Sequence, residues 1–110
     1  MNNYYNNYYI RNIKNEDYLG FKKVYLQLEN TIDFTEEKFI YILSKLNNQN
    51  SKILLVVNSI NNEIVGVGKI LVEYKFGNNK GYIDDLIIDK GHRKQKLGTF
   101  LLNNLIDVAR

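Results

Sequence analysis

The sequence predicts a single α+β domain in which a mostly antiparallel sheet is flanked by helices, with the element order β-α-α-β-β-β-α. Three observations support this prediction. Two amphipathic helical segments follow a short alternating segment, three strand-like segments come next with only turns between them, and a helical stripe closes the chain. Strands joined by short turns pair as antiparallel neighbours. The apolar stripe of the last helix must be buried, so we expect this helix to cover one face of the sheet.

The composition of this 110-residue chain fits one small globular domain, residues 1–110, and excludes several classes of site. The chain has no cysteine and one histidine, which excludes disulfides, a cysteine nucleophile and a metal site built from these residues. A net charge of +3 favours an anionic ligand and does not require nucleic acid. No apolar run approaches membrane length and no signal-peptide layout is present, so we expect a cytoplasmic protein without a membrane partner.

The N-terminal segment is predicted to contain one strand and one helix. Residues 1–7 are of low complexity, so we expect them to be disordered, and residues 8–13 alternate as the first strand. The first helix is predicted from an N-cap at Asn15 to about Leu28, with Gln27 on the side that faces water.

The middle of the chain is predicted to form the second helix and the centre of the sheet. Thr35 is the predicted N-cap of the second helix. Residues 52–57 are continuously apolar, which is typical of a central strand covered on both faces. Residues 64–74 form the returning strand, in which Gly66 and Gly68 indicate a bulge or the close approach of another element.

A strand, a basic turn and a helix are predicted at the end of the chain. Residues 82–88 form the strand, and the helical stripe over residues 97–108 leaves three polar residues on its other face, Asn103, Asn104 and Asp107. The turn between them holds five basic residues, Lys90, His92, Arg93, Lys94 and Lys96. Such a junction directs free backbone N–H groups, the positive end of a helix dipole and several cations at one point, which suits a phosphate or pyrophosphate.

The basic turn also has plainer interpretations. A run of this kind is often a solvated loop, and it can be a nucleic-acid-binding or nuclear-import patch. Charge alone favours the solvated loop. The position at a strand-to-helix junction, with Gly98 in the first helical turn, favours the anion site.

The same residues resemble a known family. Arg93-Lys94-Gln95-Lys96-Leu97-Gly98 resembles the acetyl-CoA loop, R/Q-x-x-G-x-G/A, of the GNAT acyltransferase superfamily. More narrowly, VGVGKILVEYKF followed by YIDDLIID and the basic turn resembles the glucosamine-6-phosphate N-acetyltransferases. The resemblance implies a GNAT-like fold and acetyl-CoA as co-substrate without a metal. It further implies N-acetylation of glucosamine 6-phosphate for UDP-N-acetylglucosamine synthesis, by a homodimer that binds no nucleic acid.

The resemblance also implies roles for individual residues. Asp84 and Asp85 would be catalytic and border the amino sugar, and because neighbours in a strand face opposite sides, they are not expected to share a proton. The other implied acceptor contacts are Lys75, Phe76, Gly77 and Asn78. The implied cofactor contacts are the backbone groups of Leu86, Ile87 and Ile88 and the loop residues Arg93, Lys94, Gln95, Lys96, Leu97, Gly98 and Thr99.

Several of these positions have other interpretations. Without the resemblance, the two aspartates would be a solvated strand end, and Gly77 and Asn78 would form a plain hairpin turn. His92 lies where the pyrophosphate is expected, so a surface position or a phosphate contact is favoured over a general base. Glu29 and Thr31 both lie near the place where the family holds the sugar phosphate.

The chain departs from the family pattern in its loop and at its end. Lys96 replaces the first loop glycine, and Lys94 stands where close relatives often have glycine. A non-glycine residue with positive φ costs roughly 1 kcal/mol, so either the loop path differs or the lysine charge offsets the strain. The usual last strands do not follow the final helix, which predicts an exposed sheet edge. Two alternative functions stay open, a non-catalytic CoA-binding or dimerising module and a small basic RNA-binding domain.

Overall fold

The structure is a computed structural model that describes residues 2–28 and 33–110. Its five strands are β1 (Tyr4–Tyr5), β2 (Tyr8–Asn12), β3 (Ser51–Asn58), β4 (Glu63–Glu73) and β5 (Lys80–Ile88). Its three α-helices are α1 (Tyr18–Tyr25), α2 (Glu36–Leu46) and α3 (Leu97–Val108). The predicted α+β class is confirmed, with β1 as an added strand. Glu29 and Thr31 lie outside the described residues.

One antiparallel sheet in the order β1-β2-β3-β4-β5 separates two hydrophobic clusters. On one face α3 packs through Leu97, Leu101 and Leu105, all almost fully buried. On the other face α1 and α2 pack through aromatic residues that include Phe21 and Phe39. As predicted, β3 is covered on both faces, because consecutive side chains of a strand point to opposite sides.

Strand β4 contains both features that its glycines predicted. The register between β3 and β4 shifts next to Gly66, which marks a bulge. At Gly68 an added Cβ would lie 2.7 Å from Leu105 Cδ1 and 3.1 Å from Leu101 Cδ2. Helix α3 therefore packs directly on the backbone of β4 through Leu101 and Leu105.

The N-terminal residues differ from the expectation of disorder. Tyr4 and Tyr5 pair with Tyr9 and Tyr8 and form the hairpin β1–β2 at the sheet edge. Asn104, predicted on the outer face of α3, is buried, and its amide donates to the Phe100 carbonyl at 3.0 Å and to the Asn2 carbonyl at 3.5 Å. The added hairpin extends the protein over this side of α3, which the helical pattern alone does not indicate.

Helix α1 begins later than predicted because Asp17 is engaged elsewhere. Residues Asn15–Asp17 form a 3₁₀ turn. The Asp17 carboxylate accepts hydrogen bonds from both Nη groups of Arg11, each at 2.8 Å, and from the Lys14 N–H at 2.7 Å. Burial would raise the pKa of the Asp17 carboxyl, but these hydrogen bonds outweigh burial and lower the pKa below its ordinary value. The pair fixes β2 against the start of α1.

We predict that Asp17→Ala lowers the free energy of unfolding by about 2 kcal/mol near neutral pH, because it removes hydrogen bonds to a largely buried charge. A lowered folded-state pKa stabilises the fold above the ordinary carboxyl pKa, and this contribution is lost as pH falls through the lowered pKa. Urea unfolding of both proteins from neutral to acidic pH should therefore show converging stabilities. Glu16→Ala, at an exposed position of the same turn, is the control, and a difference that does not change with pH would contradict the prediction.

Within residues 2–28 and 33–110, no helix is both long enough and apolar enough to cross a membrane.

Candidate functional site

A bulge in β5 places Asp85 in an unusual conformation. Val67 pairs with Ile87 and Lys69 pairs with Asp84, so the single residue Gly68 lies opposite two residues of β5. Asp85 has a left-handed φ of 55°, and its N–H donates to Asp84 Oδ1 at 3.0 Å. Bulges and left-handed non-glycine residues are enriched next to functional sites, where they redirect a side chain, and they persist only where the surrounding structure holds them.

The bulge directs the two aspartates into different cavities. Asp85 lines a cavity of about 260 Å³ whose other walls come from α1, α2, the segment before α2 and neighbouring strands, among them Phe21, Tyr25, Phe34, Phe39 and Lys69. Asp84 is exposed and lines a second cavity on the far side of Lys69. The expectation that the two carboxylates do not act as a shared-proton pair agrees with this geometry.

The surroundings of Asp85 make its carboxylate easier to protonate than an ordinary aspartate. Burial, followed by the charge of Asp84, raises the pKa of the Asp85 carboxyl above its ordinary value, while the charge of Lys69 acts in the opposite direction. A carboxylate with a raised pKa is a stronger proton acceptor, because its charge is less well stabilised by its environment. Asp85 can therefore orient a cationic amine and accept a proton from it.

The end of β5 is fixed by two side chains. Gln27, from the turn after α1, donates to Asp89 Oδ1 at 2.6 Å and accepts the Lys90 N–H at 2.9 Å. Asp89 Oδ2 accepts the Gly91 N–H at 3.0 Å, and the hydrogen bond from Gln27, with that of Gly91, lowers the pKa of Asp89 despite partial burial. The prediction that Gln27 faces water is wrong, because its amide connects α1 to the basic turn.

The basic turn holds lysine in a conformation that suits glycine. Lys94 has φ 68° and Lys96 has φ 62°, both left-handed, and Lys96 immediately precedes α3. The loop therefore adopts the positive-φ conformation with lysine at both positions. Both side chains are exposed, so their charges stay available to an anion.

The start of α3 provides an open group of hydrogen-bond donors. The Phe100 N–H donates to the Lys96 carbonyl at 3.1 Å. The N–H groups of the helix residues before Phe100 have no carbonyl one turn earlier in the helix to bind. At Gly98 an added Cβ would meet no atom within 4 Å. Arg93 Nε donates to the Ile88 carbonyl at 3.0 Å, which attaches the loop to the end of β5. Backbone donors, a helix dipole and exposed cations therefore lie together, as pyrophosphate binding requires.

Comparison with known proteins identifies the family. The sequence model of the acetyltransferase (GNAT) family matches residues 8–110. The chain belongs to the GNAT acetyltransferase family. The members of this family use acetyl-CoA as the acetyl donor. The donors at the start of α3 fit the pyrophosphate of that molecule, since they are directional, positively polarised and accessible.

Solved GNAT structures have the same fold as this chain. An acetyltransferase of Trypanosoma brucei superposes with a TM-score of 0.83 at 19% identity, over 94% of this chain and 75% of that chain. The glucosamine-6-phosphate N-acetyltransferase of Arabidopsis thaliana gives 0.81 at 24% identity, over 92% and 73%. A GNAT acetyltransferase of Staphylococcus aureus gives 0.76 at 20% identity, over 94% and 78%. At these identities the similarity shows a shared fold.

The acceptor contacts implied for the β4–β5 hairpin lie apart from Asp85 in the GNAT domain. Lys75 forms an ion pair with Glu73 at 3.2 Å, and Phe76 is fully exposed. Gly77 and Asn78 line a different cavity, next to the C-terminal end of α3. None of the residues 75–78 lines the Asp85 cavity, so the structure does not bring these two parts of the predicted acceptor site together within one chain.

We predict that Lys96→Gly raises the free energy of unfolding of the GNAT domain by about 0.5–1 kcal/mol, because glycine adopts positive φ without steric cost. Chemical denaturation of the two proteins measures this difference. Lys90→Gly is the matched control, since Lys90 does not have positive φ and glycine there only adds flexibility to the unfolded chain. Equal destabilisation by both substitutions would contradict the prediction.

Proposed function

We propose that this GNAT domain acetylates the amine of glucosamine 6-phosphate with acetyl-CoA, in the cytoplasm, and so supplies N-acetylglucosamine 6-phosphate for UDP-N-acetylglucosamine synthesis. The observation that carries the proposal is Asp85, which lies in the β5 bulge at a cavity and only a few residues before the anion-binding turn. The sequence resemblance of β4 and β5 to the glucosamine-6-phosphate N-acetyltransferases supports this acceptor.

The residues that would hold acetyl-CoA follow from the donor groups. The N–H groups of Leu97, Gly98 and Thr99 and the charges of Lys94 and Lys96 would bind the pyrophosphate. The backbone of β5 at Leu86, Ile87 and Ile88 would border the pantetheine arm, and Arg93 and Gln95 would complete the loop. When bound, acetyl-CoA supplies the thioester, at which a C–N bond to the amine forms and the C–S bond breaks, so that the amine loses a proton and CoA leaves as a thiolate that takes one up.

The acceptor amine needs a group that orients it and removes its proton. Asp85 would hold the ammonium group by charge and then accept a proton, since its pKa is raised by burial and by Asp84. Asp84 keeps the bulge in place by accepting the Asp85 N–H at 3.0 Å. The Lys69 ammonium group, next to both cavities, limits the rise of the Asp85 pKa.

The assembly that we propose is a homodimer. Strand β5 pairs only with β4 in the described part of the chain, and three apolar side chains of β5 are partly exposed, those of Tyr82, Ile83 and Leu86. The acceptor contacts of the β4–β5 hairpin, which lie away from Asp85, would then be supplied across the dimer. Sedimentation of the purified protein tests this, and a monomer at assay concentration would contradict it.

A competition experiment tests the acceptor. The protein is incubated with acetyl-CoA and equal amounts of glucosamine 6-phosphate, glucosamine and glucose 6-phosphate, and the products are identified by mass spectrometry. We expect N-acetylglucosamine 6-phosphate as the main product, because the amine and the phosphate are both recognised. Preferential acetylation of unphosphorylated glucosamine, or of no sugar, would contradict the assignment of this acceptor.

A further inference from the structure

A tyrosine of the N-terminal hairpin contacts the basic turn at the opposite end of the chain. Tyr8 lies in β2 and is 8% exposed. Its hydroxyl oxygen lies 2.9 Å from Nδ1 of His92 and donates to Oε1 of Gln95 at 3.2 Å. The Tyr8 and His92 rings meet edge to face, with centroids 5.9 Å apart. One side chain therefore contacts the turn on both sides of Arg93 and Lys94.

The hydrogen bonds of Tyr8 determine where the proton of His92 lies. In the structure the Gln95 amide turns its oxygen towards Tyr8, and because this oxygen can only accept, the single phenol proton of Tyr8 lies towards Gln95. The phenol oxygen must then accept from His92, which requires a proton on Nδ1. Neutral His92 is thus the Nδ1–H tautomer. Its Nε2 has no hydrogen-bond partner among the residues that the structure describes.

The same contacts hold the strained part of the turn. Gln95 lies between Lys94 and Lys96, the two left-handed residues. A free loop of this sequence would leave these conformations readily, because L-residues are disfavoured there. A hydrogen bond to a buried tyrosine at the residue between them restrains the loop before any ligand binds.

We propose that Tyr8 is a positioning residue of the basic turn, which fixes His92 as the Nδ1–H tautomer and holds the left-handed path around Gln95 ready for the pyrophosphate of CoA. The identity of the ligand rests on the proposed function, but the tautomer and the restraint of the loop do not. Tyr8 is largely buried and reaches the turn through His92 and Gln95, so its proposed role is to position these two residues.

The single histidine of the chain allows a direct test. The ¹⁵N chemical shifts of a histidine ring distinguish the two neutral tautomers, and His92 is the only source of these signals. At alkaline pH, where imidazole is neutral, we expect the Nδ1–H tautomer in the native protein and a change towards Nε2–H in Tyr8→Phe. The Nε2–H tautomer in the native protein would overturn the proposal.

Binding of CoA provides the second test. Tyr8→Phe keeps the ring and removes only the hydroxyl, and we expect it to weaken CoA binding about tenfold, which corresponds to the loss of roughly one hydrogen-bond contribution. Tyr5→Phe is the matched control, since Tyr5 packs on Phe100 from the same hairpin. We expect its affinity to equal that of the native protein.

The possible results separate this proposal from the proposed function. Equal affinity of Tyr8→Phe and the native protein for CoA would overturn the positioning role. If neither protein binds CoA while the native tautomer is Nδ1–H, the result would refute the cofactor role of the loop and, with it, the proposed function. In the acetylation assay Tyr8→Phe should raise KM for acetyl-CoA and leave kcat nearly unchanged, whereas a fall in kcat alone would contradict a positioning role.

Discussion

The Asp85→Asn variant is expected to lose acetyl transfer by about 10²–10⁴-fold in kcat/KM, the usual contribution of a positioned general base. Asparagine keeps the shape of the side chain and tolerates the left-handed φ of 55° at this position. The variant should therefore fold normally and bind CoA like the native protein. Steady-state kinetics with saturating acetyl-CoA measure the loss.

The neighbouring carboxylate provides the control for Asp85. Asp84→Asn retains an amide oxygen that can accept the Asp85 N–H, so a much smaller loss of activity is expected.

The raised pKa of Asp85 also predicts a pH dependence. The activity of the native protein should fall as pH falls through that raised pKa, and the residual activity of Asp85→Asn should not show this fall. An Asp85→Asn variant with native activity would contradict the assignment of the base.

The Gly98→Val variant is expected to weaken CoA binding by about 100-fold or more, because a side chain at the start of α3 would occupy the space that the pyrophosphate needs. In the structure an added Cβ at Gly98 meets no protein atom within 4 Å, so the substitution should not disturb packing. Isothermal titration with CoA measures the loss, and the melting temperature should stay within a few degrees of the native value.

Asn103→Val is the control for Gly98→Val, since it places the same side chain at an exposed position farther along α3. Its CoA affinity should be unchanged. Native CoA affinity in Gly98→Val would mean that the pyrophosphate does not approach the start of α3.

Local sequence patterns predicted most elements of the fold. The apolar stripe defines α3 at Leu97–Val108, and the predicted cap of α2 is confirmed by the Lys38 N–H, which donates to Thr35 Oγ1 at 3.1 Å. Both signals depend on residues within one or two helical turns, so they do not depend on the rest of the protein. The same holds for the apolar run of β3.

Contacts between distant segments could not be predicted in this way. Gln27 and Asp89 are 62 residues apart, and Tyr8 and His92 are 84 apart. Periodicity assigns a face to each residue but not a partner, so Gln27 looked like a solvent-facing residue and Tyr8 like an ordinary strand residue. Both fix the basic turn, and neither has a signal of its own in a single sequence.

The bulge in β5 could not be predicted from the sequence for a different reason. Regular alternation places Asp84 and Asp85 on opposite faces, and the structure separates them through the left-handed φ of Asp85. A bulge depends on the partner strand, here the opposite residue Gly68, which the pattern of β5 does not contain. For the loop, the glycines of the family left two alternatives open, a different path or a left-handed path with lysine, and the structure has the left-handed path at Lys94 and Lys96.

The most direct test of an acetyltransferase is release of the CoA thiol by this 110-residue protein, with acetyl-CoA alone and with added glucosamine 6-phosphate. The proposed function predicts rapid release that depends on the sugar and is lost in Asp85→Asn. Release that is independent of the sugar, or no release while CoA still raises the melting temperature, would contradict acetyl transfer to this amine and leave a CoA-binding domain.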